Sequence, residues 1–176
     1  MNPQAWKILS RKTIRLNRHR SILKVVAELP SGKKDTFYLR NKGKIVCALV
    51  LTRDKRVVLA EQYRLGVDDI VSELPGGGVD KGETPRQAIV REVREEVGYS
   101  GKVRQIVSSN DDAWSMKTRF HFVVTEAEKV AEPSNTDTEI IRPKLMSLRQ
   151  FRKHLRSGRL TDVETGYLAL DFLKLL

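Results

Sequence analysis

The sequence predicts an α/β fold: a mixed sheet covered by helices, preceded by an N-terminal antiparallel strand region. Three observations predict it. Apolar and β-branched runs crowd residues 21–65. The segment 85–97 carries a full set of helix start and stop signals. Beyond it, strand-like runs give way to two further helical segments, and strands with helices between them in a short chain imply a sheet with helices packed on it. At 176 residues the chain has the length of one domain. Such a chain buries roughly 70% of its unfolded surface, so it needs no covalent staples.

The elements follow in order. Ser21–Leu29 is largely apolar and ends at the turn signal Pro30-Ser31-Gly32. Thr36–Arg40 is a short strand. Lys44–Thr52 and Arg56–Tyr63 flank Arg53-Asp54-Lys55 and predict a hairpin. A Gly-rich loop follows at Pro75-Gly76-Gly77-Gly78. Thr84 is placed to cap a helix, with Pro85 in its first position, Gln87 completing a capping box and Gly98 ending it. Val103–Ser108 and Thr118–Thr125 read as strands, and Glu139–Met146 as an edge strand interrupted by Pro143. One closing helix runs from Leu148 to Arg156 behind Ser147. A second runs from Asp162 to Leu175, with Thr161 and Glu164 as its capping box.

Composition excludes several classes. The single cysteine, Cys47, forms no internal disulfide and lies within the apolar run Ile45–Leu51, where it reads as a small core residue. No run approaches ~18 apolar residues, so no membrane span is expected. The first twenty residues lack the apolar stretch of a signal peptide, which makes a reducing cytoplasm the expected location. Lys and Arg number 33 against 22 Asp and Glu, a formal net charge of +11. The basic residues gather at Arg11–Arg20 and Arg142–Arg159 while the middle of the chain is acidic. That excess fits a polyanion partner, an anionic substrate or a solvated surface, and charge alone does not choose among them.

The chemistry concentrates in Gly76–Gly98. Glu92, Glu95 and Glu96 stand at i, i+3 and i+4 and share one helical face. Ile89, Val93 and Val97 share the adjacent face and can anchor the helix to a sheet. Three carboxylates on one face repel each other unless a cation neutralises them, and Mg²⁺ suits carboxylates, water and substrate phosphate together. The glycines before the helix let backbone approach an anionic ligand closely. A solvated acidic face is the alternative reading of the glutamates alone.

The spacing resembles the Nudix box: Gly, five residues, Glu, seven residues, Arg-Glu, a bulky aliphatic residue, any residue, Glu-Glu, any residue, Gly and an aliphatic residue. Gly77, Glu83, Arg91, Glu92, Val93, Glu95, Glu96 and Gly98 fall on this pattern, and Tyr99 stands in place of the last aliphatic residue. The resemblance implies an α/β/α sandwich over residues 44–176, and hydrolysis of a pyrophosphate bond linking a nucleoside diphosphate to another group. It implies that Glu92, Glu95 and Glu96 hold Mg²⁺ (with Mn²⁺ as a possible substitute), that the carbonyl of Gly76 adds a backbone ligand, and that Arg91 orients the carboxylates. Glu83 would support the same site. The metal would neutralise the diphosphate and activate a water.

A wider stretch, Val57–Asp80, is similar to the ADP-ribose and nucleoside diphosphate sugar pyrophosphatases. Gln62, Tyr63, Arg64, Glu73, Leu74, Pro75 and Gly77 match that subgroup, and Gly76 replaces its usual alanine. The similarity places Arg64 and Glu73 at the substrate site or the subunit interface and Gly77 at the substrate site, where the Arg64 guanidinium would match phosphate oxygens. It places the general base on the loop Glu132–Glu139, with Glu139 the first candidate and Asp137 the second. The proline that ADP-ribose hydrolases carry after the box is missing here, where Trp114 and Ser115 stand. This favours a broader nucleoside diphosphate sugar specificity. Trp114 would stack on a base or pack at the sheet edge, and Asp111 and Asp112 would touch a sugar or cap a turn. The subgroup implies a homodimer in which N-terminal strands, residues 1–43, cross to the partner, with Trp6 at the interface and the substrate site. The expected activity is therefore a Mg²⁺-dependent split of a nucleoside diphosphate sugar, with neither membrane nor nucleic acid as partner. Two alternatives remain beside it. One is a pyrophosphohydrolase of RNA 5′ ends or dinucleoside polyphosphates. The other is a non-catalytic sensor of nucleotide sugars.

Overall fold

A computed structural model describes residues 3–17, 20–136 and 140–176. Among the described residues the architecture is α/β, a mixed, open sheet with three helices. The chain divides into two units, Met1–Gly43 with Asn110–Thr118, and Lys44–Ser109 with Arg119–Leu176.

In the first unit β1 (Lys7–Arg15), β2 (Ser21–Glu28) and the start of β3 (Lys34–Thr52) pair antiparallel. The register runs Thr13 to Leu23 to Leu39. Leu23, Val25 and Ala27 alternate into the buried face of β2, as a period-2 strand must. The β2–β3 turn needs Gly32 at φ 80°, a left-handed conformation that costs glycine little. β1 had no strand signal, because its residues are almost all exposed and four of its nine are basic.

The second unit holds the remainder of β3 with β4 (Arg56–Arg64), β5 (Asp69–Glu73), β6 (Gly76–Gly78), α1 (Pro85–Val97), most of β7 (Tyr99–Asn110) and β8 (Ser115–Lys129), then β9 (Arg142–Ser147), α2 (Leu148–Arg156) and α3 (Val163–Phe172). β4 pairs antiparallel with β3, β5 and β9, and β6 pairs antiparallel with β3. The stretch Val46–Leu51 is buried throughout, and its two faces serve different layers. Val46, Ala48 and Val50 pack with Ala88, Ile89, Val93 and Val97 of α1. Cys47, Leu49 and Leu51 pack with Phe151 and Leu155 of α2 and Ala169 and Leu170 of α3. Helices therefore cover the strand on both faces, which explains a continuous apolar run where alternation is otherwise expected. No helix among the described residues is long and apolar enough to cross a membrane.

Several expectations change. β3 runs unbroken from residue 34 to 52 instead of as two strands. β5 lies in a stretch to which the sequence assigns no element, and β6 in the stretch read as a Gly-rich loop, because three glycines carry no strand propensity yet pair with Ile45, Val46 and Cys47. The capping box expected at Thr161 and Glu164 does not form: Asp162 is the N-cap, without a side-chain cap bond, and the Thr161 hydroxyl goes elsewhere. α3 is correspondingly shorter, ending at Phe172.

Candidate active site

The site begins with the caps of α1. The Thr84 hydroxyl accepts from the Gln87 N–H at 3.3 Å, and the Gln87 side chain accepts from the Thr84 N–H at 2.9 Å. Pro85 fills the first turn and Gly98, at φ 73°, closes the helix with its N–H on the Arg94 carbonyl. These caps fix where the helix starts and ends. Burial of Ile89, Val93 and Val97 fixes its rotation, and Arg91, Glu92, Glu95 and Glu96 fall on the face left over.

Arg91 gathers the carboxylates. Its Nε and one terminal nitrogen donate to the two oxygens of Glu83, both at 3.1 Å, a bidentate fork. The other terminal nitrogen donates to Glu92 at 2.8 Å and Glu95 at 3.0 Å, and the fork also reaches the Gly78 carbonyl at 3.0 Å. The Arg91 pair holds the Glu83 carboxyl below its usual range. Burial pushes the Glu92 carboxyl up against the pull of Arg91. Burial pushes the Glu96 carboxyl up further, to about 8, opposed chiefly by the Gly76 N–H, which donates to it at 2.9 Å.

The β6 strand lays bare backbone over this face. A Cβ on Gly77 would stand 2.4 Å from a Glu92 oxygen, and a Cβ on Gly76 would stand 2.2 Å from the Val46 carbonyl oxygen. The second figure gives a local reason why glycine replaces alanine at position 76: β6 lies too close to β3 for a side chain. A cavity of about 560 Å³ is lined by Arg64, Gly76, Gly77, Glu92, Glu95 and Glu96, with Ser134, Thr136 and Ile141 from the segment after β8. A second cavity of about 670 Å³ runs along α1 beside Arg86, Val90, Arg94 and Glu132. Only the first collects the three box glutamates with an arginine.

Arg64 reaches its place from β4. Its Nε donates to Glu73, which is 3% exposed at the end of β5. The second Glu73 oxygen accepts from the Thr161 hydroxyl, a partner that sequence reasoning missed because it assigned Thr161 to a helix cap. Trp6 and Trp114 belong to the first unit, where they flank Phe37 with ring centroids 5.0 and 6.1 Å away. Asp111 and Asp112 both pair with Arg40, and Asp112 also accepts from the Trp114 N–H at 2.6 Å, so Asp112 caps a turn. Glu139 and Asp137, the candidate general bases, lie outside the described residues.

Among the described residues no three His, Cys, Asp or Glu side chains stand ready around a metal position. Arg91 holds Glu92 and Glu95, and the Gly76 N–H holds Glu96. The chemistry of the set nonetheless fits a hard divalent cation. Half-buried carboxylates pushed toward neutrality, beside a glycine strand that leaves room at Glu92, are oxygen donors that such a cation would ionise and ligate.

The family model described as NUDIX domain matches residues 41–163. The chain is 26% identical to an ADP-ribose pyrophosphatase of Bacillus subtilis (strain 168) over 84% of this chain and 81% of that protein. It is 30% identical to a CMP-5′-(N-acetyl-N-hydroxy-3-aminopropyl)phosphonate hydrolase of Streptomyces rubellomurinus over 81% of this chain and 71% of that protein. The fold is shared with a crystal structure described as an ADP compounds hydrolase, at a TM-score of 0.82 and 18% identity, covering 99% of this chain and 97% of that one. With residues 41–163 matched and the capped helix, Arg91 and the glutamates in one cavity, the chain belongs to the NUDIX family of hydrolases.

Proposed function

We propose that this chain is a Mg²⁺-dependent pyrophosphatase that hydrolyses the diphosphate bond of nucleoside diphosphate sugars such as ADP-ribose, releasing a nucleoside monophosphate and a sugar phosphate. One observation carries the reading: a single cavity joins the glutamates of α1 to an arginine held by a buried carboxylate. Cation-ligating oxygens and a phosphate-binding guanidinium are the two requirements of a diphosphate site.

In this reading Glu92 and Glu96 hold the cation, with Glu95 and the backbone at Gly76 completing the donor set. Bound Mg²⁺, or Mn²⁺ in its place, supplies charge neutralisation of the diphosphate and a water of lowered pKa. Arg91 keeps Glu92 and Glu95 in place and screens their repulsion. Arg64 binds diphosphate oxygens through its terminal nitrogens while its Nε stays on Glu73. Gly77 lets the ligand approach Glu92 without a side chain in the way. Glu139 accepts the proton of the attacking water, with Asp137 as the other candidate. A homodimer that exchanges N-terminal strands brings Trp6 and Trp114 to the nucleoside end of the substrate. A reducing cytoplasm fits the single buried cysteine, whose thiol burial pushes up and keeps inert.

The test is a substrate panel. Purified protein receives Mg²⁺, Mn²⁺ or a chelator with ADP-ribose, other nucleoside diphosphate sugars, dinucleoside polyphosphates and triphosphorylated RNA, and products are separated by chromatography. The expected result is metal-dependent release of a nucleoside monophosphate from the sugars. Cleavage confined to the RNA or the dinucleotides, or no cleavage at all, overturns the reading.

A further inference from the structure

We propose that Thr161, seconded by Arg159, is a positioning residue: the connection between α2 and α3 holds Glu73, and through it the Arg64 guanidinium, in the orientation that grips substrate. The inference rests on the role given to Arg64 above. It adds a layer that lies far from the box in sequence.

The register of β4 and β5 poses the problem. Ala60 stands across from Glu73, Gln62 from Val71 and Arg64 from Asp69. Because every second residue shares a face, Arg64, Glu73 and Asp69 are all on one side of the ribbon. Asp69, directly across from Arg64, is the cross-strand carboxylate nearest to it in register. Yet Arg64 Nε donates to Glu73, four positions back along the ladder. The α2–α3 connection accounts for the choice at both ends. Arg159 donates to Asp69 at 2.5 Å and so occupies the competing carboxylate. Thr161 donates its hydroxyl to Glu73 Oε1, leaving Oε2 for Arg64.

Glu73 is buried, so both of its oxygens require donors. Thr161 Oγ1 has one hydrogen to give and also lies 3.3 Å from Asp162, but the Glu73 contact is the closer. The connection is itself anchored. At its α2 end His154 Nε2, in the last turn of that helix, meets the Ser72 carbonyl at 2.8 Å, one residue before Glu73, and at its α3 end Asp162, the N-cap, pairs with Arg119. Arg64 is thus tethered at Nε by a carboxylate that cannot swing. Its terminal nitrogens are left for the cavity it lines, and a tethered guanidinium loses less freedom when it binds.

The experiment compares Thr161→Val, which keeps the branched shape without a donor, with Thr161→Ser, which keeps the donor. The readouts are KM and kcat on the best substrate of the panel and the thermal midpoint. Thr161→Val is expected to raise KM by about tenfold with a smaller change in kcat, and Thr161→Ser to restore KM to near wild type. In an Arg64→Ala background Thr161→Val is expected to leave KM unchanged, because the group it positions is gone. Arg159→Ala, at an exposed side chain that does not endanger folding, is expected to raise KM as well by releasing Asp69. Equal KM effects of Thr161→Val with and without Arg64, or a lowered midpoint at unchanged KM, overturn the inference. If the wild type cleaves no diphosphate sugar, the functional reading fails instead. Positioning is then read from the Arg64 Nε–H nuclear magnetic resonance signal, identified by its loss in Arg64→Ala. The signal moves toward that of free arginine in Thr161→Val if the inference holds, and stays in place if it does not.

Discussion

The backbone N–H of Gly76 donates to Glu96 Oε2 at 2.9 Å, across twenty positions of chain. Strand β6 and helix α1 are thereby joined at a half-buried glutamate of the box. The same contact opposes the burial that pushes the Glu96 carboxyl up to about 8.

Glu96→Gln separates the two consequences of this arrangement. The amide keeps an acceptor for the Gly76 N–H but cannot ionise toward a cation. Turnover is expected to fall by about a hundredfold or more. The thermal midpoint in the absence of metal is expected to stay or rise slightly, since the amide folds without taking up the proton that burial forces on the carboxyl. Steady-state kinetics and calorimetry on the same preparation check both.

Gly76 and Gly77 are neighbours, yet alanine at each is expected to fail differently. At Gly76 the new Cβ meets the Val46 carbonyl oxygen at 2.2 Å and Cys47 Cα at 2.8 Å, both backbone, so the strands must separate. Gly76→Ala is expected to cost about 3 kcal/mol of stability. At Gly77 the Cβ meets the far end of the Glu92 side chain, which can turn away. Gly77→Ala is expected to cost under about 1 kcal/mol in stability and about a hundredfold in turnover through the displaced carboxylate. Urea unfolding and kcat of the two variants read the contrast, and equal stability losses would contradict it.

Arg91→Lys keeps the charge and loses the planar fork. One ammonium cannot serve Glu83, Glu92, Glu95 and the Gly78 carbonyl together. The expected cost is about 1–3 kcal/mol of stability, with divalent-cation affinity weaker by about 10–100-fold. Isothermal titration with Mn²⁺ measures the second quantity directly.

His121 predicts a pH dependence independent of the active site. It is fully buried between Ser109 Oγ at 2.9 Å and Thr165 Oγ1 at 2.8 Å. Burial holds its pKa below the ordinary 6.5. The unfolded chain then takes up this proton before the folded one does. Stability from this group is present above pH 6.5 and is lost as pH falls toward the folded value, by up to about 1.4 kcal/mol per pH unit. His121→Gln is expected to flatten that slope in urea titrations between pH 5 and 7.5.

Legibility in the sequence followed the range of the interaction. Pro85–Val97 and Leu148–Arg156 are readable because Thr84, Gln87 and Gly98 mark the first and Ser147 and Gly158 bracket the second, all within a few positions of the helix ends. The box face was readable because i, i+3 and i+4 fix which side chains adjoin on a helix. β1 was not readable, since exposed, charged residues give no alternation, and β6 was not, since glycines pair only because β3 lies beside them. Thr161 was misread because a threonine before an acidic residue looks the same whether its hydroxyl caps a helix or binds a distant carboxylate.

The sequence by itself determined the fold class, the bounds of two helices and the face on which Glu92, Glu95 and Glu96 stand. Those features depend on backbone propensities and contacts a few residues long. Only the tertiary structure decided what those groups face: Arg91 on five oxygens of four residues, Gly76 on Glu96, and Arg64 on a glutamate held by Thr161 from 88 positions away. No local period encodes such a pairing. It exists because β5 is buried against the α2–α3 connection, and a buried carboxylate must find its donors wherever the packed chain supplies them.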